Sequence, residues 1–212
     1  MDTAKIFKMR ILHLPLKDLP LWLTLSTFIV LALFFLTGCS SSEPNPQESI
    51  KRVIRERAVE SDKANTHQAS LKLYAVLRDL EPENISNHIA FIGAARKSGD
   101  KAAFIQYIDN PVSTSRANFS SEYVIEVIFT MVSFNLIKRA ENFLNINKDI
   151  IDSEATFFWL KGAIEMGSGE YFLALRSYES CLRIEPNNEP CRFDLNSLIS
   201  KGKYENNGNR KR

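Results

Sequence analysis

Apolar positions along the chain fall into two patterns. Residues 21–36 are apolar apart from Thr24, Ser26 and Thr27, and they stop at Thr37-Gly38-Cys39, where the polar stretch SSSEPNPQE begins. Farther on, apolar residues recur at helical intervals: Val53, Ile54, Leu71, Tyr74, Leu77 and Leu80 in one region, Val124, Ile125, Ile128, Phe129 and Val132 in another. Gly and Pro are scarce inside these segments, and no segment alternates apolar and polar residues between turn signals. The pattern predicts an all-α chain. A last helix is expected over about 189–201, with Pro190 in its first turn, followed by a polar, basic tail over 202–212.

The first apolar run reads as a processing signal. Lys5, Lys8, Arg10 and Lys17 precede it, giving a charged region followed by an apolar one. At 1.5 Å per residue the run covers about 24 Å, short of the ~30 Å hydrocarbon core of a bilayer. Leu36-Thr37-Gly38-Cys39 resembles the lipobox of bacterial lipoproteins. That resemblance implies a signal peptide over 1–38, diacylglycerol on Cys39, and a lipidated flexible tether over 39–50, too polar to bury anything. Ser40 stands where lipoproteins retained in the inner membrane typically carry Asp, so the implied destination is the periplasmic face of the outer membrane. An uncleaved membrane anchor is the alternative.

Once residues 1–38 are set aside, acidic and basic residues balance. A neutral chain argues against nucleic acid as a partner, because such binding needs a basic face to neutralise phosphates. Cys181 and Cys191 are the other cysteines. In an oxidising periplasm a disulfide between them is permitted, with two buried free thiols as the alternative. Catalytic patterns are lacking. His67 and His88 have no ligand-spaced companions, and Gly167-Ser168-Gly169-Glu170 lacks the Lys-Ser/Thr of a phosphate loop. We therefore expect no enzyme, no cofactor, no metal and no small-molecule substrate.

Internal repetition is clearest over residues 155–188. Gly162, Gly169, Tyr171, Ala174, Tyr178, Leu182 and Pro186 stand at positions 8, 15, 17, 20, 24, 28 and 32 of a 34-residue frame. This frame resembles the tetratricopeptide repeat, with Phe158 in place of the Trp of position 4 and Lys161 and Glu165 in usually apolar or aromatic places. Small residues at 8 and 20 let two antiparallel helices approach, an aromatic at 24 fills the space between them, and Pro at 32 ends the second helix. Residues 121–154 fit the same frame through Ala140 and Leu144, and residues 51–84 through Ala58, Ser70, Tyr74 and Pro82. Residues 85–120 form a degenerate unit: KSGDKAAFIQYID supplies a turn and second helix, and a loop after Asn110-Pro111 leads to a helix capped by Ser120 or Ser121. The expectation is a tetratricopeptide-repeat superhelix over 51–201, with about four repeats and a capping helix.

By resemblance to the family, positions 2, 5, 9 and 12 of each frame line a groove. They run from charged, with Arg52, Arg55, Asp62 and Arg96, to apolar, with Ile125, Phe129, Val132, Trp159 and Met166. Arg96, Ile125, Phe129, Trp159 and Met166 are the expected partner-binding residues, and a largely exposed Trp159 is the expected hot spot. The alternative packs Trp159 beside Phe158 in the core. An amphipathic helix or extended peptide of a partner protein suits such a groove. A lipid anchor combined with a small repeat domain resembles the lipoproteins of pilus machines, the tight-adherence (Flp) lipoprotein more than the longer type IV pilotin. The implied role is a scaffold that helps place a secretin or another pilus component. A lipoprotein partner of a wall-synthesis enzyme or of outer-membrane protein assembly is the alternative.

Overall fold

The computed structural model describes residues 45–110 and 119–200. The expectations for the signal peptide, Cys39, the loop over 111–118 and the tail over 202–212 lie outside these residues. Among the described residues the chain has nine α-helices, one 3-10 turn and no strand, so it is all-α. The helices come in successive pairs: α1 (Pro46–Lys63) with α2 (His67–Leu80), α3 (Ile85–Ser98) with α4 (Lys101–Asp109), α5 (Ser121–Ser133) with α6 (Ile137–Ile146), and α7 (Glu154–Ser168) with α8 (Tyr171–Ile184). A single helix, α9 (Glu189–Ser200), packs on α8.

One boundary differs from the sequence reading. The expected tether over 39–50 ends at Asn45, because α1 begins at Pro46. Proline loses nothing at a first helical position, Glu48 suits the positive helix end, and Lys51 Nζ closes on Glu48 at 2.8 Å. Ser120 is the residue that caps α5, its Oγ accepting from the Tyr123 N–H at 3.2 Å. Asn84, Asp100, Ser153 and Asn188 accept from the first turns of α3, α4, α7 and α9 in the same way.

All four pairs reverse through a residue with positive φ: Asn65 at 57°, Gly99 at 73°, Asn135 at 57° and Gly169 at 81°. These are the residue types that tolerate the left-handed region, and they occupy one and the same place in each pair. The exits from the first and last pairs are also alike. At Glu81-Pro82-Glu83-Asn84 and Glu185-Pro186-Asn187-Asn188, the Asn N–H bonds to the Glu carbonyl at 3.0 Å in both turns.

Packing within pairs follows residue size. Gly162 lies against Tyr178, where a Cβ would come within 2.5 Å of the ring. Ala58, Ser70 and Ala174 are fully buried at the matching small positions. The second pair is built differently, with Ile92 and Phe104 fully buried where small residues stand elsewhere. Its α4 has only 9 residues, and a polar seam joins it to its neighbours. His88 Nε2 lies 2.8 Å from the Pro82 carbonyl, which can only accept, so this nitrogen carries the proton. In the neutral ring, Nδ1 then accepts from the Tyr107 hydroxyl at 2.9 Å, and Tyr107 accepts from Tyr123 at 3.0 Å. Burial holds the His88 imidazole below the ordinary histidine value of 6.5 and pushes both tyrosines up.

Two outcomes follow from this packing. Gly162→Ala should lower stability by about 1–3 kcal/mol in urea melts, because the ring clash outweighs the ~1 kcal/mol gain in helix propensity. The second concerns pH. The folded state disfavours protonated His88, so its contribution is intact above pH 6.5 and is lost as pH falls below that value. Melting temperature should therefore drop between pH 6.5 and 5 in the native chain and drop less in His88→Gln, measured by circular dichroism.

Candidate partner-binding face

The first helices of the pairs, α1, α3, α5 and α7, present the side chains at which a partner is expected. Helix α3 packs on α5, and α5 on α7, so their outward positions form one face. At its N-terminal end the charges are already matched. Asp62 on α1 accepts from Lys97 Nζ on α3 at 2.5 Å and lies 3.1 Å from His67 Nδ1 on α2. The Lys97 hydrogen bond chiefly holds the Asp62 carboxyl below its ordinary range. Arg96, one of the expected binding residues, donates from Nε at 3.1 Å and from Nη2 at 2.8 Å to Glu126 Oε1 on α5. Gly93 lies beneath this pair, where a Cβ would stand 3.2 Å from Glu126 Oε1. The result is a depression of about 270 Å3 lined by Asp62, Ile89, Gly93, Arg96, Lys97 and Glu126.

The apolar end is occupied by the chain itself. Trp159 and Phe129 stack with ring centres 5.0 Å apart, which brings two of the expected residues together as the frame requires. The Trp159 indole N–H donates to Asp194 Oδ2 on α9 at 2.8 Å, and its ring packs against all three buried clusters. Met166 packs against the cluster of Ala174, Tyr178 and Leu198. A largely exposed Trp159 is thus corrected: the ring is half-buried and belongs to the closure of the domain. The last helix pair would otherwise end in open apolar surface, and α9 covers it through Leu195 and Leu198. Ile125 is likewise half-buried, packed on the main core.

Cys181 and Cys191 are joined by a disulfide between α8 and α9, with their Cα atoms 6.4 Å apart. Both are fully buried beside Ala155. The bond and the Trp159–Asp194 hydrogen bond, three residues apart on α9, fix the helix at two points.

The residue that the sequence reading passed over is Phe193. It is the most exposed large apolar side chain described, at 73 %. A further 34-residue step from Trp159 lands on it, so the same frame carried the signal. Its chain neighbour Asp194 accepts from the Trp159 indole N–H. Among the described residues no group of three or more metal-capable side chains occurs, and no helix is long and apolar enough to cross a membrane.

This arrangement separates three aromatic substitutions. Trp159→Ala should destabilise the domain by about 3 kcal/mol or more, as deletion of a packed aromatic does. Trp159→Phe keeps the stack on Phe129 and should lose about 1.5–3 kcal/mol, the range for a hydrogen bond to a charged group. Phe193→Ala should change stability by no more than about 0.5 kcal/mol. Urea unfolding of the three variants measures the differences. No family model matches the chain, and no curated protein or solved structure matches it either.

Proposed function

We propose that the chain is a bacterial lipoprotein whose mature domain is a short tetratricopeptide-repeat superhelix, held at the periplasmic face of the outer membrane by lipid on Cys39. Four helix pairs that reverse through Asn65, Gly99, Asn135 and Gly169 support the repeat reading. The Gly162–Tyr178 packing and the matching Pro82 and Pro186 turns support it further. The buried disulfide fits an oxidising compartment.

Its role in this reading is to hold a segment of a partner protein and so support secretin placement or assembly of a tight-adherence (Flp) type pilus. The observation that carries partner binding is the exposed Phe193, whose chain neighbour Asp194 accepts from the Trp159 indole N–H. A rigid aromatic on a helix fixed at two points loses little freedom on binding, which suits a hot spot. The charged end of the face contributes less, because Arg96 and Lys97 are already paired.

The experiment combines anchor and face. Cys39→Ala should abolish fatty-acid labelling, leave uncleaved precursor in the inner membrane, and prevent secretin multimers from appearing in the outer membrane. Phe193→Ala should keep the melting temperature and weaken capture of the secretin's periplasmic segment by about 30-fold, which corresponds to about 2 kcal/mol. Photo-cross-linking from position 193 that yields a wall-synthesis enzyme or a barrel-assembly component instead of a secretin would overturn the pilus reading and leave the lipoprotein reading standing.

A further inference from the structure

Helix α1 has an open packing face at the start of the domain. Ile50 and Val53 lie one turn apart on it and are 58 % and 52 % exposed. Of the four places that match Val53 in later units, three are buried, and the fourth, Phe157, is half-buried against the main core. Asn87 is buried and donates to the Leu77 carbonyl of the preceding α2 and to the Glu81 carboxylate just past its end; Tyr123 is buried against Tyr107 of α4; Cys191 is bonded to Cys181 of α8. In those three units this face rests on the helix before it. Among the described residues helix α1 has no such neighbour, and after cleavage at Cys39 only six residues would separate the acylated cysteine from Pro46. They are also Ser, Glu, Pro and Asn, with nothing apolar to cover Ile50 and Val53.

We propose that this face of α1 lies on the surface of the lipid bilayer, so that the domain stands on the membrane on its first helix. The inference rests on the lipid anchor at Cys39. Seven residue steps at 3.3–3.6 Å keep Pro46 within about 25 Å of the acylated cysteine. A tether so short holds the face near the lipid at an effective concentration on the order of millimolar, so that a contact too weak to form between separate partners gains occupancy. One turn beyond Val53 the same face carries Arg57, paired with Glu60 at 3.4 Å, which neutralises the acidic group nearest the headgroups. Lipid contact in the plane of the interface by an amphipathic helix is the geometry this supports. The other end of the domain, with Phe193, then points away from the bilayer.

In this reading the Cys39 thiol is a thioether to diacylglycerol, and Cys181 and Cys191 are disulfide-bonded, so a new cysteine labels cleanly. The acylated full-length protein carrying Val53→Cys with a fluorophore is reconstituted in vesicles of phosphatidylethanolamine and phosphatidylglycerol, part of them bearing brominated acyl chains. Val76→Cys, on the 44 % exposed Val76 of α2, serves as the control. Bromine should quench the probe at position 53 at least twofold more than the probe at 76, and Ile50→Asp should abolish the difference. Equal quenching at both positions, with the acyl mass present on Cys39, overturns the docking and leaves the anchor intact. Absence of the acyl mass overturns both. A probe at 53 that is shielded without bromine quenching, in step with protein concentration, shows a second copy on this face and also overturns the proposal.

Discussion

Everything in the domain depends on the antiparallel return of each helix pair, and each return is made by one residue in the left-handed region. Asn65, Gly99, Asn135 and Gly169 cost little there, whereas a β-branched residue would strain the turn. With the reversal fixed at one place, the facing positions of the two helices are fixed as well. That is why Gly162 meets Tyr178, and why Ala58 and Ser70 are fully buried in the first pair. Packing then stacks one pair on the next through the first helices, α3 on α5 and α5 on α7.

Where the packing rule is relaxed, hydrogen bonds take over the joint. The second pair has Ile92 and Phe104 in place of small residues and a shortened second helix, so it offers less apolar surface to the third. The chain from Pro82 through His88, Tyr107 and Tyr123 crosses that joint, tying the α2–α3 turn, α3, α4 and α5 together. Such a seam is directional and buried, so it specifies one register, but it does so only while His88 stays neutral. Glu81 does the same at the first joint from the surface side, accepting from Arg55 and Asn87 at 2.8 Å each. The Asn87 hydrogen bond is the main reason its carboxyl lies below the ordinary range.

Much of this was legible in the sequence, for identifiable reasons. The helix pairs follow from Gly162, Ala174, Tyr178 and Pro186, whose sizes and spacing have one packing solution. The turns at Asn65 and Asn135 carried the same information as the two glycines, but asparagine is common on surfaces and its left-handed role shows only when the four turns are aligned. Trp159 was placed on the right helix, yet its environment was not legible. An acidic residue 35 positions later normally stays in water, and only the docking of α9 turns Asp194 into the indole's acceptor. The start of α1 at Pro46 was hidden by composition: Pro, Gln and Glu read as tether, although proline and glutamate are well suited to a first helical turn.

The capping helix explains why the candidate hot spot lies one unit farther on than the sequence suggested. The open apolar end of the last helix pair must be covered, and the cover has to grip the last apolar first-helix residues, which here are Trp159 and Met166. Those side chains can therefore serve stability or a partner, but not fully both. The chain commits them to stability by fixing α9 with a buried disulfide and a charged hydrogen bond. The outer surface of the cover is then the first position along this line that is rigid, apolar and still exposed. Phe193 occupies it, and its rigidity derives from the same contacts that removed Trp159 from the surface.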